Sequence, residues 1–535
     1  MSQWDIVVAG AGHNSLLTAA YAARAGFKVL VLEGAERIGG DTTCEELTLP
    51  GFIHDPCATA HNLIQSNPLM RNNELQLDRY GLRYLYPDPV FTMPFRDGRS
   101  ITMWRDLERT CAELARFNRA DADAYRQLLD DWQGMAPIIN DEREHPPRPP
   151  AELLARTASG RLGDRGVQIR QATALDIISE RFSDEHVRAF FAWIAFMTLH
   201  PLDEPETGVL AFSLVAGRQR FSWIMPEGGS NRLPLALARV IEENGGTILT
   251  KKPVMRIVVE GGRATGVVTA DSSTYGASKA VVSTIHIKHL PAVVGEANLG
   301  QQFTAGIAHW KPSVTMLASH YALSEAPRFK TEAGPIESVT MGVLESLFAL
   351  KRMLSGFRAG QLDLQQPVVL AITPTVIDPS RAPAGKHTFK LISFLPYELA
   401  EGPNHWDAIK EQVADRLFEW IAPLTTNLSA RIVLGRHVDS PRDLERRNPA
   451  NWRGSCHGGA STPEQSGWFR PVEGWSSYRT PVEGLYQTGA CTHPGGSVSG
   501  LPGRNCAAVL LEDLGSSLEA AIQPRGERVK EEAAG

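Results

Sequence analysis

The chain has 535 residues, of which 43% are hydrophobic and 21% charged, a composition typical of globular proteins. Its net charge of -6 leaves no basic surface for a phosphate backbone and argues against nucleic-acid binding. The six cysteines form no CxxC or CxxxxC pair and no repeated Cys/His spacing, so we expect neither a thiol redox motif nor a metal site.

The N-terminal segment, residues 5–33, has the pattern of a βαβ unit, with strands at 6–9 and 28–32 around a helix at 14–25. Gly10, Gly12 and Ser15 occupy the positions of the GxGxxG fingerprint, and Glu33 ends the second strand. Such a turn lets the backbone approach a pyrophosphate, and the acid accepts ribose hydroxyls. The motif predicts a dinucleotide without distinguishing NAD from FAD.

The next part of the chain is mainly helical over residues 107–212 and contains the stiff run HPPRPP. Its longest apolar run, AFFAWIAFMTL at 189–199, is shorter than the roughly 20 residues that cross a bilayer. A buried helix, the wall of a substrate channel and a shallow membrane-contact face are three alternatives for this run.

Further elements follow after residue 226. We expect a helix at 230–244, closed by a glycine pair, and short strands at 247–249, 254–259, 264–269 and 280–283. Residues 300–475 contain strand-like runs at 368–373 and 389–394 and a helix at 406–421.

The segment 484–505, GLYQTGACTHPGGSVSGLPGRN, separates flavin from NAD. It reads as a strand at 485–488, a turn at Gly489 and Ala490, a bare loop, and a last helix starting at Val498 or Ser499. The positive end of that helix is suited to the N1/O2 edge of an isoalloxazine ring. Together with Gly39 and Gly40, which let the chain pass close to a ribityl group, it predicts FAD.

The fold class that follows is α/β with an α+β substrate lobe. A Rossmann-like domain is assembled from residues 1–100, 222–295 and 476–522, and a substrate-binding domain with a mixed sheet and a helical lid from 101–221 and 296–475. Residues 523–535 are charged and predicted to be disordered. Because residues 1–4 leave no room for a cleaved signal, we expect a cytoplasmic protein, with membrane association as the alternative.

The chain resembles the phytoene-desaturase-type flavoproteins, and within them the branch of pyridine nucleotide-disulfide oxidoreductase domain-containing protein 2. The segments that carry the resemblance are VVAGAGHNSL at 7–16, GGDTTCEELTLPGF at 39–52, PEGGSNRLPLALA at 226–238, GRATGV at 262–267 and the stretch 470–505. Two departures are Ser15 in place of glycine and Asp41 where the wider amine-oxidase-like group often has arginine.

The resemblance implies a fold of the amine-oxidase type that holds FAD. The residues it assigns to the cofactor are Gly10, Gly12, His13, Asn14, Glu33, Gly39, Gly40, Val254, Gly489, Ala490 and Val498. The first four would surround the pyrophosphate, Glu33 would bind the ribose, and Val254 would clasp the adenine.

The catalytic candidates are His61 and His493, because an imidazole suits proton transfer at neutral pH. His54, Asp55 and His457 are weaker candidates. The predicted function is an FAD-dependent oxidoreductase that takes hydride from a C–C or C–N unit of a mostly apolar small molecule onto flavin N5. Without a second GxGxxG domain for NAD(P)H, the electrons would leave to oxygen, a quinone or a protein carrier. A flavin-dependent isomerase or saturase of an isoprenoid-like substrate and a non-catalytic, FAD-stabilised partner-binding protein are the alternatives.

Overall fold

The computed structural model describes residues 4–523, so the predicted disordered tail lies outside the described residues except for Gln523. The strands of this range are β1 (Trp4–Ala9), β2 (Val29–Leu32), β3 (Tyr84–Leu85), β4 (Phe91–Pro94), β5 (Ser100–Met103), β6 (Met225–Pro226), β7 (Thr247–Leu249), β8 (Val254–Glu260), β9 (Arg263–Thr269), β10 (Thr274–Ser283), β11 (Met316–Leu323), β12 (Thr340–Val343), β13 (Val369–Ile372), β14 (His387–Phe394), β15 (Val433–Asp439) and β16 (Leu485–Gln487).

The α-helices of the same range connect and cover these strands. They are α1 (His13–Arg24), α2 (Pro68–Arg71), α3 (Leu107–Ala115), α4 (Arg119–Glu144), α5 (Pro150–Ala158), α6 (Asp164–Gln171), α7 (Ala174–Arg181), α8 (Glu185–Phe196), α9 (Leu210–Phe221), α10 (Arg232–Glu243), α11 (Leu290–Val294), α12 (Glu296–Leu299), α13 (Gln301–Ala308), α14 (Leu347–Arg358), α15 (Trp406–Ile421), α16 (Pro441–Arg447), α17 (Leu501–Asp513) and α18 (Leu518–Ile522).

The first sheet has a parallel part in the order β7-β2-β1-β10-β16, and the β8–β9 hairpin extends it antiparallel along the start of β10. Helices α1, α10 and α17 pack on one face, and α11 and α13 pack on the other. Coverage on both faces explains why β2 is apolar and buried along its whole length. The strands come from three separated segments, and the predicted α/β fold class is confirmed.

The second sheet has the order β15-β11-β14-β13-β12-β4-β5 and is mixed, because β12 and β4 are parallel and the other neighbours antiparallel. Helix α15 packs on one face, and the helical region packs against the other. Since β4 and β5 belong to this sheet, the change from the first sheet comes before Phe91, and the boundary predicted at residue 100 falls inside β5. The other domain limits stay predictions.

The helical region contains α3 to α9, as the sequence predicts for residues 107–212. Its apolar run forms most of α8, in which every side chain of residues 189–196 is fully buried. The end of the run, at Met197 and Leu199, borders a cavity. The run is therefore a core helix that ends at a cavity wall, and it is not a membrane-contact face. No helix within residues 4–523 is both long and apolar enough to cross a membrane.

The last helix of the predicted flavin segment begins later than expected. Ser497 and Gly500 have left-handed backbone angles, with φ of 74° and 67°, so the chain becomes helical only at Leu501. The predicted start at Val498 or Ser499 is wrong for this reason. Helices α1 and α10 are close to the predicted 14–25 and 230–244, and α15 covers the predicted 406–421.

Candidate active site

A cavity of about 1380 Å³ opens at the carboxyl ends of the parallel strands. Gly10, Glu33, Thr284 and Thr488 line it, and each directly follows a strand of the first sheet: β1, β2, β10 and β16. Open α/β sheets bind ligands at this edge. The volume exceeds the roughly 300–1,000 Å³ of an ordinary small-molecule site, so a cofactor and a substrate have room together.

The turn between β1 and α1 contains two glycines with different structural requirements. Gly10 has a φ of 100°, and a Cβ there would lie 2.3 Å from the Thr284 Cγ2 atom, so the fold itself requires glycine. Gly12 has a φ of -70°, and a Cβ there would meet no atom within 4 Å. The protein alone does not need glycine at this position. A ligand that lies close to the backbone at the start of α1 does, which fits a pyrophosphate.

The side chains around this turn hold its shape. The two carboxylate oxygens of Glu33 accept hydrogen bonds from the backbone N–H groups of Ala11 (2.7 Å) and Ala35 (2.8 Å). The Ser15 hydroxyl donates to the Gly10 carbonyl at 2.8 Å and lies 3.0 Å from that of Gly12. Serine in the third position of the fingerprint is thus compatible with the turn, since its hydroxyl ties the turn together.

The glycine pair after β2 packs directly against this turn. Gly39 forms a parallel bridge with Gly12, and a Cβ on Gly40 would lie 3.4 Å from the Gly12 Cα. Asp41 Oδ1 accepts hydrogen bonds from the side-chain amides of Asn448 and Asn451, both at 2.9 Å. Burial raises the pKa of Asp41. At this position the protein has the carboxylate of Asp41, where the wider group often has an arginine. The side-chain amides of Asn448 and Asn451, from the C-terminal part of the chain, hold that carboxylate in place.

The C-terminal segment forms the opposite wall. Gly489 has a φ of 95°, and a Cβ there would lie 2.6 Å from the Thr284 hydroxyl. The buried Arg470 guanidinium donates to the Ala490 carbonyl at 2.6 Å and so fixes the turn after β16. The structure brings every residue predicted to bind the cofactor to this one cavity: Gly10, Gly12, His13, Asn14, Glu33, Gly39, Gly40, Val254, Gly489, Ala490 and Val498. This arrangement fits the proposal that these residues contact FAD.

The predicted catalytic histidines do not line the cavity. His61 Nε2 lies 2.8 Å from the Ser230 hydroxyl, and its Nδ1 lies 3.1 Å from the Tyr84 hydroxyl. His493 Nε2 lies 2.9 Å from the Glu142 carbonyl. Burial lowers the pKa of His61 to about 3 and that of His493 to about 4. Their catalytic role stays a prediction, to which this packing gives no support.

The three weaker candidates, His54, Asp55 and His457, have different surroundings in the structure. Asp55 forms an ion pair with Arg381 at 2.8 Å, and both side chains are only 1% exposed, which indicates a structural role. His54 is hydrogen-bonded to the Thr48 hydroxyl. Of the three, only His457 lines the cavity, and burial lowers its pKa to about 4. This imidazole is neutral at pH 7.

One part of the cavity wall is apolar. It is formed by the inner face of the second sheet together with one tryptophan that follows α9. These residues are Met316, Leu370, Ile372, Ile392, Phe394 and Trp223. Such a surface suits an apolar substrate.

Four arginines also line the cavity: Arg71 and Arg220, which are exposed, and Arg143 on α4 and Arg218 on α9, which are partly buried. The Arg218 guanidinium donates to Asn62 and stacks over Trp223, 3.6 Å from the ring centroid, and burial lowers its pKa to about 9. Burial also lowers the pKa of Arg143. Each acidic side chain described in the lining already has hydrogen-bonding or ionic partners: Glu33, Asp41, Asp141 and Glu144. A cationic substrate would therefore meet guanidinium groups without a free carboxylate among these residues.

The sequence did not indicate the apolar wall or the two partly buried arginines. Strands β13 and β14 are buried on both faces, so their sequences do not show which of the two faces borders a cavity. Arg143 lies on a helix rich in other charged residues, and Arg218 lies on a helix that carries a second arginine, Arg220. Small residues of α4 and α9 also line the cavity near these two arginines. Such small residues would have been a useful sequence signal for the helix faces that border a cavity.

Comparisons with known proteins agree with this site. One of the subunits of limonene dehydrogenase from Castellaniella defragrans is 28% identical, over 97% of this chain and 96% of that protein. Pyridine nucleotide-disulfide oxidoreductase domain-containing protein 2 of Mus musculus is also 28% identical, over 96% of this chain and 94% of its own length. The resemblance noted in the sequence is confirmed.

A solved oxidoreductase structure from Methanosarcina mazei shares the fold, with a TM-score of 0.60 and 19% identity over 96% of this chain and 100% of that one. The family described as flavin containing amine oxidoreductase matches residues 16–508. The cofactor is accordingly FAD, and the protein is an FAD-dependent oxidoreductase. The chain belongs to the flavin containing amine oxidoreductase family.

Proposed function

We propose that the protein is a dehydrogenase that takes hydride from a carbon–carbon unit of a mostly apolar small molecule, in preference to a carbon–nitrogen unit. The observation that carries this proposal is the apolar wall formed by the second sheet, with Arg143 and Arg218 in the same cavity. The guanidinium groups would repel an ammonium group that finds no free carboxylate among these residues, whereas a neutral hydrocarbon needs only apolar surface.

The residues of the first sheet have the task of holding the cofactor. Bound FAD supplies a two-electron acceptor at the N5 atom of its ring. The N–H groups at the start of α1 would hold the pyrophosphate, and Glu33, fixed by Ala11 and Ala35, would accept the ribose hydroxyls. Gly39 and Gly489, whose positive φ angles favour glycine, would let the backbone pass close to the rest of the cofactor.

The residues of the second sheet have the task of orienting the substrate and excluding water. Five side chains of β11, β13 and β14 contribute apolar surface to the cavity wall: Met316, Leu370, Ile372, Ile392 and Phe394. Buried apolar contact contributes roughly 25 cal/mol per Å² of surface removed from water, so such a wall holds an uncharged substrate without polar contacts. The relative named for limonene, a hydrocarbon, supports this substrate class.

We also infer that the electrons leave to oxygen, a quinone or a protein carrier, because the sequence has a single GxGxxG-type fingerprint. A cytoplasmic location is the companion proposal, and the low cysteine content supports it.

The test is anaerobic mixing of FAD-loaded protein with limonene and, in parallel, with cyclohexylamine, which provides a ring of similar size bearing an ammonium group. We expect loss of the visible flavin band with the hydrocarbon and no change with the amine. The opposite pattern would contradict the proposal. Product formation under nitrogen without any acceptor would favour the isomerase alternative, and a flavin that neither compound reduces would favour the non-catalytic one.

A further inference from the structure

The Arg218 guanidinium differs from the other charged groups of the cavity in having only uncharged neighbours. It lines the cavity near the end of α9 and stacks over the Trp223 ring, with its Cζ atom 3.6 Å from the ring centroid. Its Nη1 atom donates to the side-chain carbonyl of Asn62. The Nε and Nη2 atoms have no hydrogen-bonding or ionic partner within residues 4–523. Two donors of a partly buried cation are therefore left for a ligand of the cavity.

The other three arginines of the cavity lining have their charge compensated. Arg71 forms an ion pair with Glu144 at 3.1 Å. Burial lowers the pKa of Arg143, and the two glutamates that flank it in α4 act in the opposite direction. Arg220 is exposed, so water solvates its charge. For Arg218, burial lowers the pKa to about 9 without an opposing carboxylate, and a desolvated charge without a counter-ion is costly.

Trp223 fixes this guanidinium beside the apolar wall. The Trp223 ring stacks with that of Trp193, with 5.7 Å between the centroids, and lies 6.5 Å from the Phe91 ring of β4. Trp193 Nε1 in turn donates to the Val369 carbonyl of β13 at 2.9 Å. These contacts tie Arg218 to the second sheet, which supplies the apolar wall.

We propose that Arg218 binds a carboxylate carried by the substrate, so that the preferred substrate is a hydrocarbon skeleton with one acid group. A guanidinium presents its N–H donors in a planar fork that matches the two oxygens of a carboxylate. The skeleton would lie on the apolar wall while the acid group supplies the missing counter-ion. A hydrocarbon without the acid group still has the apolar wall, but it leaves the guanidinium unpaired and binds more weakly.

This inference rests on the proposed function and narrows its substrate class. The pyrophosphate of FAD is the other anion expected in the cavity, but its proposed place is the start of α1, at the edge of the first sheet. Arg218 is attached to the second sheet instead. The substrate is therefore the source of the anion that we assign to it.

The test compares three ligands with one carbon skeleton. Perillic acid carries a carboxyl group where limonene has its ring methyl group, and perillyl alcohol carries a neutral hydroxymethyl group there. Calorimetric titration under nitrogen, with the flavin already reduced by dithionite, gives each Kd at pH 7 without turnover. The acid should bind about 10- to 100-fold more tightly than limonene, and the alcohol should bind about as limonene does. An acid that binds no more tightly than the alcohol would overturn the proposal.

Variants assign the preference to a residue. Arg218→Met keeps an unbranched side chain beside Trp223 but removes the charge, so the preference for the acid should be lost while the Kd of limonene does not rise. Arg218→Lys keeps the charge without the planar fork and should retain only part of the preference. The matched control is Arg220→Met, which removes an exposed arginine of the same cavity and should change the preference by about threefold or less. A preference that survives in Arg218→Met would refute the assignment.

FAD content and limonene affinity report whether each variant is folded. If Arg218→Met does not fold, the wild-type protein and Arg218→Lys decide the matter, and an acid preference that lysine leaves undiminished would contradict the proposal.

Titration of FAD-free Arg218→Met with FAD distinguishes the substrate carboxylate from the phosphates of the cofactor. Unchanged FAD affinity supports the substrate assignment, and a loss as large as that for perillic acid would overturn it. Failure of the proposed function is seen separately, by mixing oxidised FAD-loaded protein with each ligand. Acid that binds through Arg218 while no ligand bleaches the flavin would refute the dehydrogenase and leave the carboxylate site supported.

Discussion

Substitution of Gly12 by alanine should separate cofactor binding from folding. A Cβ at this position meets no protein atom within 4 Å, and its φ of -70° suits any residue. The remaining cost is the poorer helix cap that alanine makes, about 1 kcal/mol or less. A pyrophosphate packed on the glycine would instead be displaced by the methyl group, and overpacking of this kind costs about 1–3 kcal/mol. That range corresponds to an about 5- to 150-fold weaker affinity for FAD.

The matched control is Gly10→Ala, two residues earlier in the same turn. There, a φ of 100° and a Cβ 2.3 Å from the Thr284 Cγ2 atom should destabilise the FAD-free protein by about 2–6 kcal/mol in total. Thermal unfolding of the FAD-free variants and titration of each with FAD, followed by flavin fluorescence, measure the two effects. Gly12→Ala protein that binds FAD as tightly as the wild type would refute the assignment of this turn to the pyrophosphate.

Three further predictions concern the substrate wall, the buried ion pair and the histidines. Met316→Gln keeps the side-chain length but adds an amide to the apolar wall, and should raise KM for a hydrocarbon about tenfold, as expected for roughly 1–2 kcal/mol of lost apolar contact. Asp55→Asn breaks the fully buried pair with Arg381 and should lower the free energy of unfolding by about 3–5 kcal/mol. Burial by itself would raise the pKa of Asp55, but Arg381 together with the hydrogen bonds from Ser230 and Cys44 lowers it. These contacts therefore stabilise the fold above the ordinary carboxyl pKa, and their contribution is lost as the pH falls further. His61 and His493 stay neutral at physiological pH, because burial lowers their pKa values to about 3 and about 4, so neither should appear in the pH profile of flavin reduction above pH ~5.

Each of these has a control within the chain. Met316→Leu keeps the wall apolar and should leave KM nearly unchanged; equal effects of leucine and glutamine would contradict the substrate assignment. Glu398→Gln removes an exposed ion pair with Arg453 and should cost less than about 1 kcal/mol, and a cost as large as that of Asp55→Asn would contradict the role of burial. For the histidines, an inflection near pH ~6.5 that His61→Gln abolishes would restore its catalytic role.

The cofactor-binding segments near the two ends of the chain could be predicted from sequence, because the backbone conformations that they require are local. Gly10 and Gly489 need positive φ or close packing, and such glycines mark a turn wherever they stand. Glu33 was predictable because a strand of fixed length ends there. These local rules led to FAD and to a cavity that the structure shows.

The apolar wall proposed for the substrate could not be predicted from sequence, because its residues come together only through long-range contacts. Trp223 and Leu370 meet at one wall through the packing of the helical region on the second sheet. The position of His61 after the glycine pair in sequence did not reveal that Ser230 and Tyr84 bind its ring and that it does not line the cavity.

The most direct test of the shared cavity is the visible spectrum of the purified protein, recorded with and without limonene under nitrogen. We expect one FAD per chain, a saturable shift of the flavin band as the hydrocarbon fills the apolar part, and then loss of that band. A folded protein that retains no flavin after incubation with FAD, or a flavin band that the hydrocarbon neither shifts nor bleaches, would contradict it.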